Sequence, residues 1–261
     1  MMFNDSIRSF LLDENFVFKE DKNGSFHVFK VDVGENHIVD IIPIQVCSVT
    51  LKQAESQMIE LSGIVGETKV IVAEDLWWSR NGMMRQRLLA QLGRFRSVFA
   101  RNTEVRRINK QESSAFLSMF HTYGDASSRY RYGIFSKDGE MVAAACFSSP
   151  RRWLKDKGYV RSYEWVRYAS LPGVRVVGGM GKVLKYFIEN ISPDDVMSYA
   201  DLEWTSGAVY ETLGFERESF RRPVLFAINP ETWLRTPVNG NVDEGMWYHY
   251  NLGSVKYRLK L

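Results

Sequence analysis

The sequence predicts an α/β protein in which a mixed, mostly antiparallel sheet with flanking helices is preceded by a smaller α/β module. Three observations predict it. Residues 160–200 read as strand, glycine turn, amphipathic helix and strand, an order that closes a right-handed crossover between parallel neighbours. The Lys137-Asp138-Gly139 turn separates two apolar runs and makes them a hairpin. In the first half, the β-branched run at residues 69–73 follows a helical pattern, so strands and helices alternate there too.

Residues 6–12 open the chain with a short helix. Residues 15–20, 25–33 and 37–46 read as three strands, separated by the Lys22-Asn23-Gly24 and Gly34-Glu35-Asn36 turns. Leu51, Ala54, Met58, Ile59 and Leu61 recur at helical spacing and stop at Gly63. After the strand at 69–73, Met84, Leu88, Leu89 and Leu92 form a helix that starts at Ser79 and is closed by Gly93. There is no repeat, low-complexity tract or Pro/Ser-rich linker, so a domain boundary must be short. Gly93 is the best place for it, giving a module over 1–95 and a second domain with a C-terminal extension over 96–261.

The second half restarts with a strand at 98–108 and a helix at 110–121. Strands follow at 131–135, 141–147 and 160–168. The helix at 180–190 carries Met180, Val183, Leu184, Phe187 and Ile188 on one face and Lys182, Lys185 and Glu189 on the other. Next come a strand at 196–200, a short helix at 206–213 ending at Gly214, and a late strand at 225–228. The tail, 247–259, reads as a hairpin turned at Asn251-Leu252-Gly253.

Composition bounds the function classes. With 45% hydrophobic and 25% charged residues, the chain can bury a core without staples. Cys47 and Cys146 form no CxxC or Cys/His pattern, which argues against a disulfide framework and a structural zinc site. Charges interrupt every apolar stretch, so no membrane span is expected and a cytoplasmic location is inferred. A net charge of +3 is too mild to imply nucleic acid, and the arginines at 94, 96, 101, 106 and 107 read as a solvated face.

The segment that carries chemistry is Arg175-Val176-Val177-Gly178-Gly179-Met180-Gly181-Lys182, between a strand and a helix. A glycine-rich turn there lets backbone N–H groups approach an anion at the helix N-terminus, where the dipole is favourable. The alternative is a tight turn that packs helix on strand. Neither the Walker spacing nor the dinucleotide GxGxxG spacing is present.

About thirty residues beyond the glycines, Ser206-Gly-Ala-Val-Tyr-Glu-Thr-Leu-Gly-Phe215 resembles the N-x-x-A-x-x-L-Y-x-x-x-G-F segment of the GNAT N-acetyltransferase family. The glycine turn resembles that family's [QR]-x-x-G-x-[GA] acyl-CoA pyrophosphate loop, and the resemblance spans roughly residues 98–228. Two registers stay open. With Gly179 and Gly181 as the pair, Val176 takes the Gln/Arg position; with Gly178 first, Arg175 matches and Met180 takes the small-residue position. Ser206 stands where many members have asparagine. The resemblance implies acetyl-CoA or another acyl-CoA as cosubstrate, held by residues 175–182, and a small-molecule or peptide amine as acceptor. The amine would attack a thioester beside parted central strands, which calls for a general base and a general acid. Tyr210 matches the family's acid position; its alternative role is a packed aromatic. Glu164 is the base candidate, with an ion pair to Arg167 or a neighbour as its alternative. Asp201 is expected to cap the helix near Ser206 or to orient substrate, and His121 and His249 to serve in surface or core hydrogen bonds.

The runs Tyr163-Glu-Trp-Val-Arg-Tyr168, Val176-Val-Gly-Gly179, Lys182-Val-Leu-Lys-Tyr-Phe187 and Ser198-Tyr-Ala-Asp-Leu-Glu-Trp204 also resemble a phage and mobile-element group described as Hef-like homing endonucleases. There a GNAT-like domain follows a nuclease domain related to the very-short-patch repair type. The resemblance implies a degenerate nuclease-like first half and, as the alternative function, a non-catalytic or DNA-associated protein that contacts nucleic acid. Asp32 and Asp40 are the available carboxylates, and residues 41–45 supply no acid and lysine at the needed spacing, so no metal is expected.

Overall fold

The structure is a computed structural model and describes residues 2–35, 37–64, 68–155, 158–240 and 244–261; Asn36 of the expected 34–36 turn lies outside the described residues. The chain is α/β with mixed sheets, as expected. It forms two compact units. The first comprises residues 1–85, 200–207 and 220–255, the second residues 86–199, 208–219 and 256–261. Where the sequence suggested one crossing near Gly93, the chain returns to the first unit twice, and much of the expected C-terminal extension belongs there.

The first unit begins with α1 (Phe3–Asp13), β1 (Val17–Asn23), β2 (Phe26–Asp32), β3 (Ile38–Ile44), α2 (Leu51–Ser62), β4 (Lys69–Ala73) and α3 (Glu74–Ser79), with α4 (Asn81–Gln91) running out of it. The sheet order is β1-β2-β3-β4: the first three strands are antiparallel, and β4 is parallel to β3, which requires the α2 crossover. Thr50 and Gln53 start α2 with reciprocal capping bonds. Alternation then places Phe26, Val28, Ile42, Ile44 and Ile71 on one sheet face with Leu61 of α2. The α1 stripe of Ile7, Phe10 and Leu11 is buried, Phe10 meets Trp77 edge-on, and the Trp77 indole donates to Ser6 Oγ at 3.0 Å.

The second unit holds β5 (Arg96–Phe99), β6 (Thr103–Arg107), α5 (Lys110–Phe120), β7 (Tyr130–Ser136), β8 (Met141–Phe147), β9 (Arg151–Lys155), β10 (Gly158–Ser170), β11 (Val174–Val177), α6 (Gly179–Ile191), β12 (Asp195–Asp201), α7 (Ala208–Thr212) and β13 (Glu216–Arg221). Strands β14 (Leu225–Ile228), β15 (Arg235–Pro237) and β16 (Trp247–Tyr250) follow, and β17 (Ser254–Lys260) ends the chain. The main sheet has the order β13-β17-β12-β10-β8-β7-β6, with β9 also paired to β10. As expected, β10 and β12 are parallel neighbours joined through α6. Phe116 and Leu117 of α5 cover one sheet face with Ala144, Cys146 and Ala169, while Phe187 of α6 covers the other through Phe147 and Tyr163.

Three expectations are corrected. The single strand at 98–108 is two strands in different sheets, broken by a turn at Ala100–Asn102 that Thr103 Oγ1 closes by donating to the Ala100 carbonyl at 2.8 Å. The tail is not a hairpin, since β16 pairs β14 and β17 joins the main sheet. The bend packs instead on residues 221–224: Asn251 Oδ1 accepts from Val224 N at 2.7 Å, and a side chain at Gly253 would overlap the Arg221 carbonyl. Asp201 caps its own turn, accepting from Glu203 N at 3.1 Å, rather than the helix at 208. His121 accepts from Tyr123 N at 3.1 Å, and His249 lies buried 3.3 Å from Glu203, the hydrogen-bonding roles expected of both.

In the first unit the order β15-β14-β16 makes a second, three-stranded sheet. Arg235 of β15 donates to both oxygens of the fully buried Asp75, at 2.6 and 2.5 Å. Removing one partner of such a pair leaves an uncompensated buried charge. Arg235→Ala should therefore destabilise the first unit by about 3–5 kcal/mol, read as a lower denaturant midpoint for Trp77 fluorescence; a change under about 1 kcal/mol would show the pair to be no more than a surface bridge.

Candidate functional site

Strands β10 and β12 pair only at Ser162, Tyr163 and Glu164, opposite Asp195, Val196 and Met197. Beyond that point they part. On its other edge β10 bulges between Trp165 and Arg167, which turns Val166 and Arg167 toward the α5 face. The gap is bridged by side chains. Ser198 Oγ, buried in β12, donates to the Trp165 carbonyl at 3.0 Å and lies 2.9 Å from the Tyr210 hydroxyl. A serine has one proton, so the bond to the carbonyl leaves its oxygen free to accept the proton of Tyr210.

Tyr210 stands at this gap because its ring stacks on Tyr257 at 5.2 Å and meets Trp165 and Phe215 edge-on at 6.5 and 5.6 Å. Burial pushes its hydroxyl above the ordinary tyrosine range. The phenol is neutral at pH 7, as an unperturbed tyrosine is, and has a proton to donate.

Beyond the bulge, β10 runs to Ser170, and β11 pairs in parallel with β5 before the glycine turn. Gly178 has φ 76°, a left-handed conformation that suits glycine, and it starts α6 with no side-chain cap. The amides of Gly179, Met180 and Gly181 head the helix, where N–H groups have no intrahelical partner and the dipole attracts anions. A Cβ at Gly179 would stand 2.7 Å from Val176 Cγ1 and 2.8 Å from the Tyr168 hydroxyl, and one at Gly181 would press Leu213 at 3.2 Å. The glycines thus serve packing as well as the turn.

The other residues singled out are placed as follows. Arg175 is exposed, its guanidinium over the Phe95 ring at 5.1 Å. Val176 is buried and Val177 exposed, as alternation in β11 requires. The Lys182 ammonium donates to the carbonyls of Ala100, at 2.8 Å, and Thr103. It is committed to holding the β5–β6 break against α6 rather than free for a phosphate. Glu164 lies 4.0 Å from Arg151, not Arg167, and alternates away from Tyr163 and Trp165, so it and Tyr210 belong to opposite sheet faces. Asp32 accepts from Gly34 N at 2.9 Å, and Asp40 stands opposite Lys30 and Lys69. Among the described residues no group of three or more His, Cys, Asp or Glu could hold a metal ion, and no helix is long and apolar enough to cross a membrane.

Sequence reasoning missed Ser198 and Tyr168. A serine at an inward position of the apolar strand 196–200 was the available signal, since a buried hydroxyl needs a partner. Nothing local in the sequence marks Tyr168 as the neighbour of Gly179.

No family profile and no curated protein matches the chain. Solved structures do. A spermidine/spermine N-acetyltransferase of Vibrio cholerae is 11% identical with a TM-score of 0.37, over 62% of this chain and 94% of that one. A GNAT-family acetyltransferase of Bacillus anthracis is 12% identical with a TM-score of 0.35, over 61% and 95%. The ribosomal-protein-S18-alanine N-acetyltransferase of Escherichia coli is 12% identical with a TM-score of 0.36, over 60% and 93%.

Two outcomes follow from the site's packing. Gly179→Ala should destabilise the second unit by about 1–3 kcal/mol through overpacking, whatever it does to binding; an unchanged melting temperature would show that Val176 and Tyr168 yield freely. Burial also pushes Tyr132 and Tyr168 up to about 12, so the fold favours their neutral forms. Their stabilisation is fully present below the ordinary tyrosine value of about 10 and is lost as pH rises toward 12. Absorbance of ionised tyrosine at about 295 nm should rise together with loss of circular dichroism in that window; ionisation of these rings near pH 10 in folded protein would contradict their burial.

Proposed function

We propose that the second unit is an N-acyltransferase that takes acetyl-CoA or another acyl-CoA and passes the acyl group to an amine. One observation carries the reading: the parallel strands β10 and β12 part beside Tyr210, whose hydroxyl meets Ser198, and β11, which follows β10 in the chain, leads into a glycine turn that opens a helix. A thioester seated in the gap would lie within reach of the phenol. Its pyrophosphate would be held by the amides of Gly179, Met180 and Gly181, with Gly178 supplying the turn; Arg175 is the nearby exposed cation.

In this reading the amine nitrogen attacks the thioester carbonyl carbon, the C–S bond breaks and an amide forms. Tyr210 gives its proton to the departing thiolate and regains one through Ser198 or solvent. Glu164, on the other face and 4.0 Å from Arg151, takes the amine proton. For the first unit we propose no cleavage activity, because Asp40 has lysines on both neighbouring strands and belongs to no group of three or more His, Cys, Asp or Glu placed to hold a metal among the described residues.

Titration calorimetry with acetyl-CoA and CoA tests the cosubstrate, and thiol release in the presence of amines tests the transfer. Tyr210→Phe should leave CoA affinity within about two-fold and lower kcat by about 10²–10⁴. Val177→Asp, at an exposed position, should weaken CoA binding by placing a like charge beside the pyrophosphate. Absence of heat at millimolar acetyl-CoA would reduce the glycine turn to packing and favour the non-catalytic alternative.

A further inference from the structure

Away from the Tyr210 gap, the start of β10 carries a line of cations and rings. Along one face, Tyr159, Arg161 and Tyr163 follow at every second residue, and the β9 partners place Leu154 beside Tyr159 and Arg152 beside Arg161. Tyr163 meets Tyr130 at 6.0 Å, and the Tyr130 ring has the guanidiniums of Arg107 at 5.8 Å and Arg129 at 5.7 Å. The charges of Arg161 and Arg129 both reach the Tyr163 hydroxyl. The stripe therefore runs continuously from β9 across to β6.

Among the described residues its charge is largely unanswered. Arg107, Arg129 and Arg152 are exposed and make no ion pair among the described residues, and only Arg161 has an acidic neighbour, Asp194 at 3.7 Å. Four guanidiniums against one carboxylate raise a local positive potential that a polyanion would relieve. The aromatic members are equally telling. Tyr159 is 71% exposed and Leu154 73%, a cost in apolar surface that core packing does not require. One exposed ring, Tyr159, beside a row of arginines matches a strand that offers phosphates and an unstacked base. An acidic protein would use the cations and leave Tyr159 idle.

We propose that this stripe binds single-stranded nucleic acid, with Arg107, Arg129, Arg152 and Arg161 on phosphates and Tyr159 stacked on a base. The surface shares no residue with the proposed acyl-CoA site, so either assignment can fail without the other.

The test is fluorescence anisotropy of a labelled oligothymidylate about twenty nucleotides long, added to the full chain over a series of salt concentrations. Binding should weaken with salt at a log–log slope of about −2.8, since each neutralised phosphate of a single strand contributes roughly 0.7. Arg129→Ala with Arg152→Ala should weaken binding at least about ten-fold and reduce the slope by about 1.4. Tyr159→Ala should weaken it about five-fold or more, and Tyr159→Phe should restore it, because stacking needs the ring and not the hydroxyl. All three substituted positions are exposed, and unchanged circular dichroism would confirm folding of each variant. No binding at about 50 mM salt would overturn the proposal. So would equal affinity for duplex or for poly-glutamate, or a silent Tyr159→Ala, each of which would mean that charge alone or another class of partner is being read.

Discussion

Phe187 holds helix α6 on the sheet, and the geometry of the second unit depends on it. Its ring lies parallel to Phe147 at 4.0 Å and meets the edges of Tyr130, Tyr132 and Tyr163 at 5.7, 6.3 and 5.4 Å, with no exposed surface. Burial on this scale is worth several kcal/mol for one phenylalanine. At the other end of the helix, Lys182 ties the first turn to two carbonyls of the β5–β6 break. With both ends pinned, Gly178 and the amides after it have a defined position relative to β10, which a site for an anion requires.

The gap between β10 and β12 is closed from the far side by the last strand. Tyr257 of β17 is fully buried beneath the Tyr210 ring, and Arg258 donates to Asp195 at 2.5 Å, where β12 begins. The second unit is thus completed by residues 256–261, after the chain has supplied 220–255 to the first unit. The parted strands are a packed feature rather than a frayed edge: Ser198 and Tyr210 satisfy one another and the Trp165 carbonyl where the ladder stops.

Much of this was legible in the sequence. The β10-turn-α6-β12 crossover, the β7–β8 hairpin and the order of elements over residues 3–73 follow from periodicity of apolar residues and from turn glycines, which act locally. The parts that were not legible depend on distant segments. The strand at 98–108 breaks because Lys182, about eighty residues later, binds its carbonyls. The tail fails to form a hairpin because Gly253 packs on the 221–224 backbone. Strand β11 looked like part of a loop because Val174–Val177 is only four residues long and finds its partner in β5. In the candidate site, Tyr210 and the glycines were read from a motif, but the Ser198 contact and the upward push on the Tyr210 hydroxyl come from burial that no local pattern shows.

The central claim is that acyl-CoA is held at the head of α6 and in the adjoining gap. Amide hydrogen exchange, followed residue by residue with and without saturating CoA, tests it most directly. The account predicts slowed exchange at Gly179, Met180 and Gly181 and in the parted stretches of β10 and β12, with little change in the first unit. Unchanged exchange at those three amides, or protection confined to another part of the chain, would contradict it.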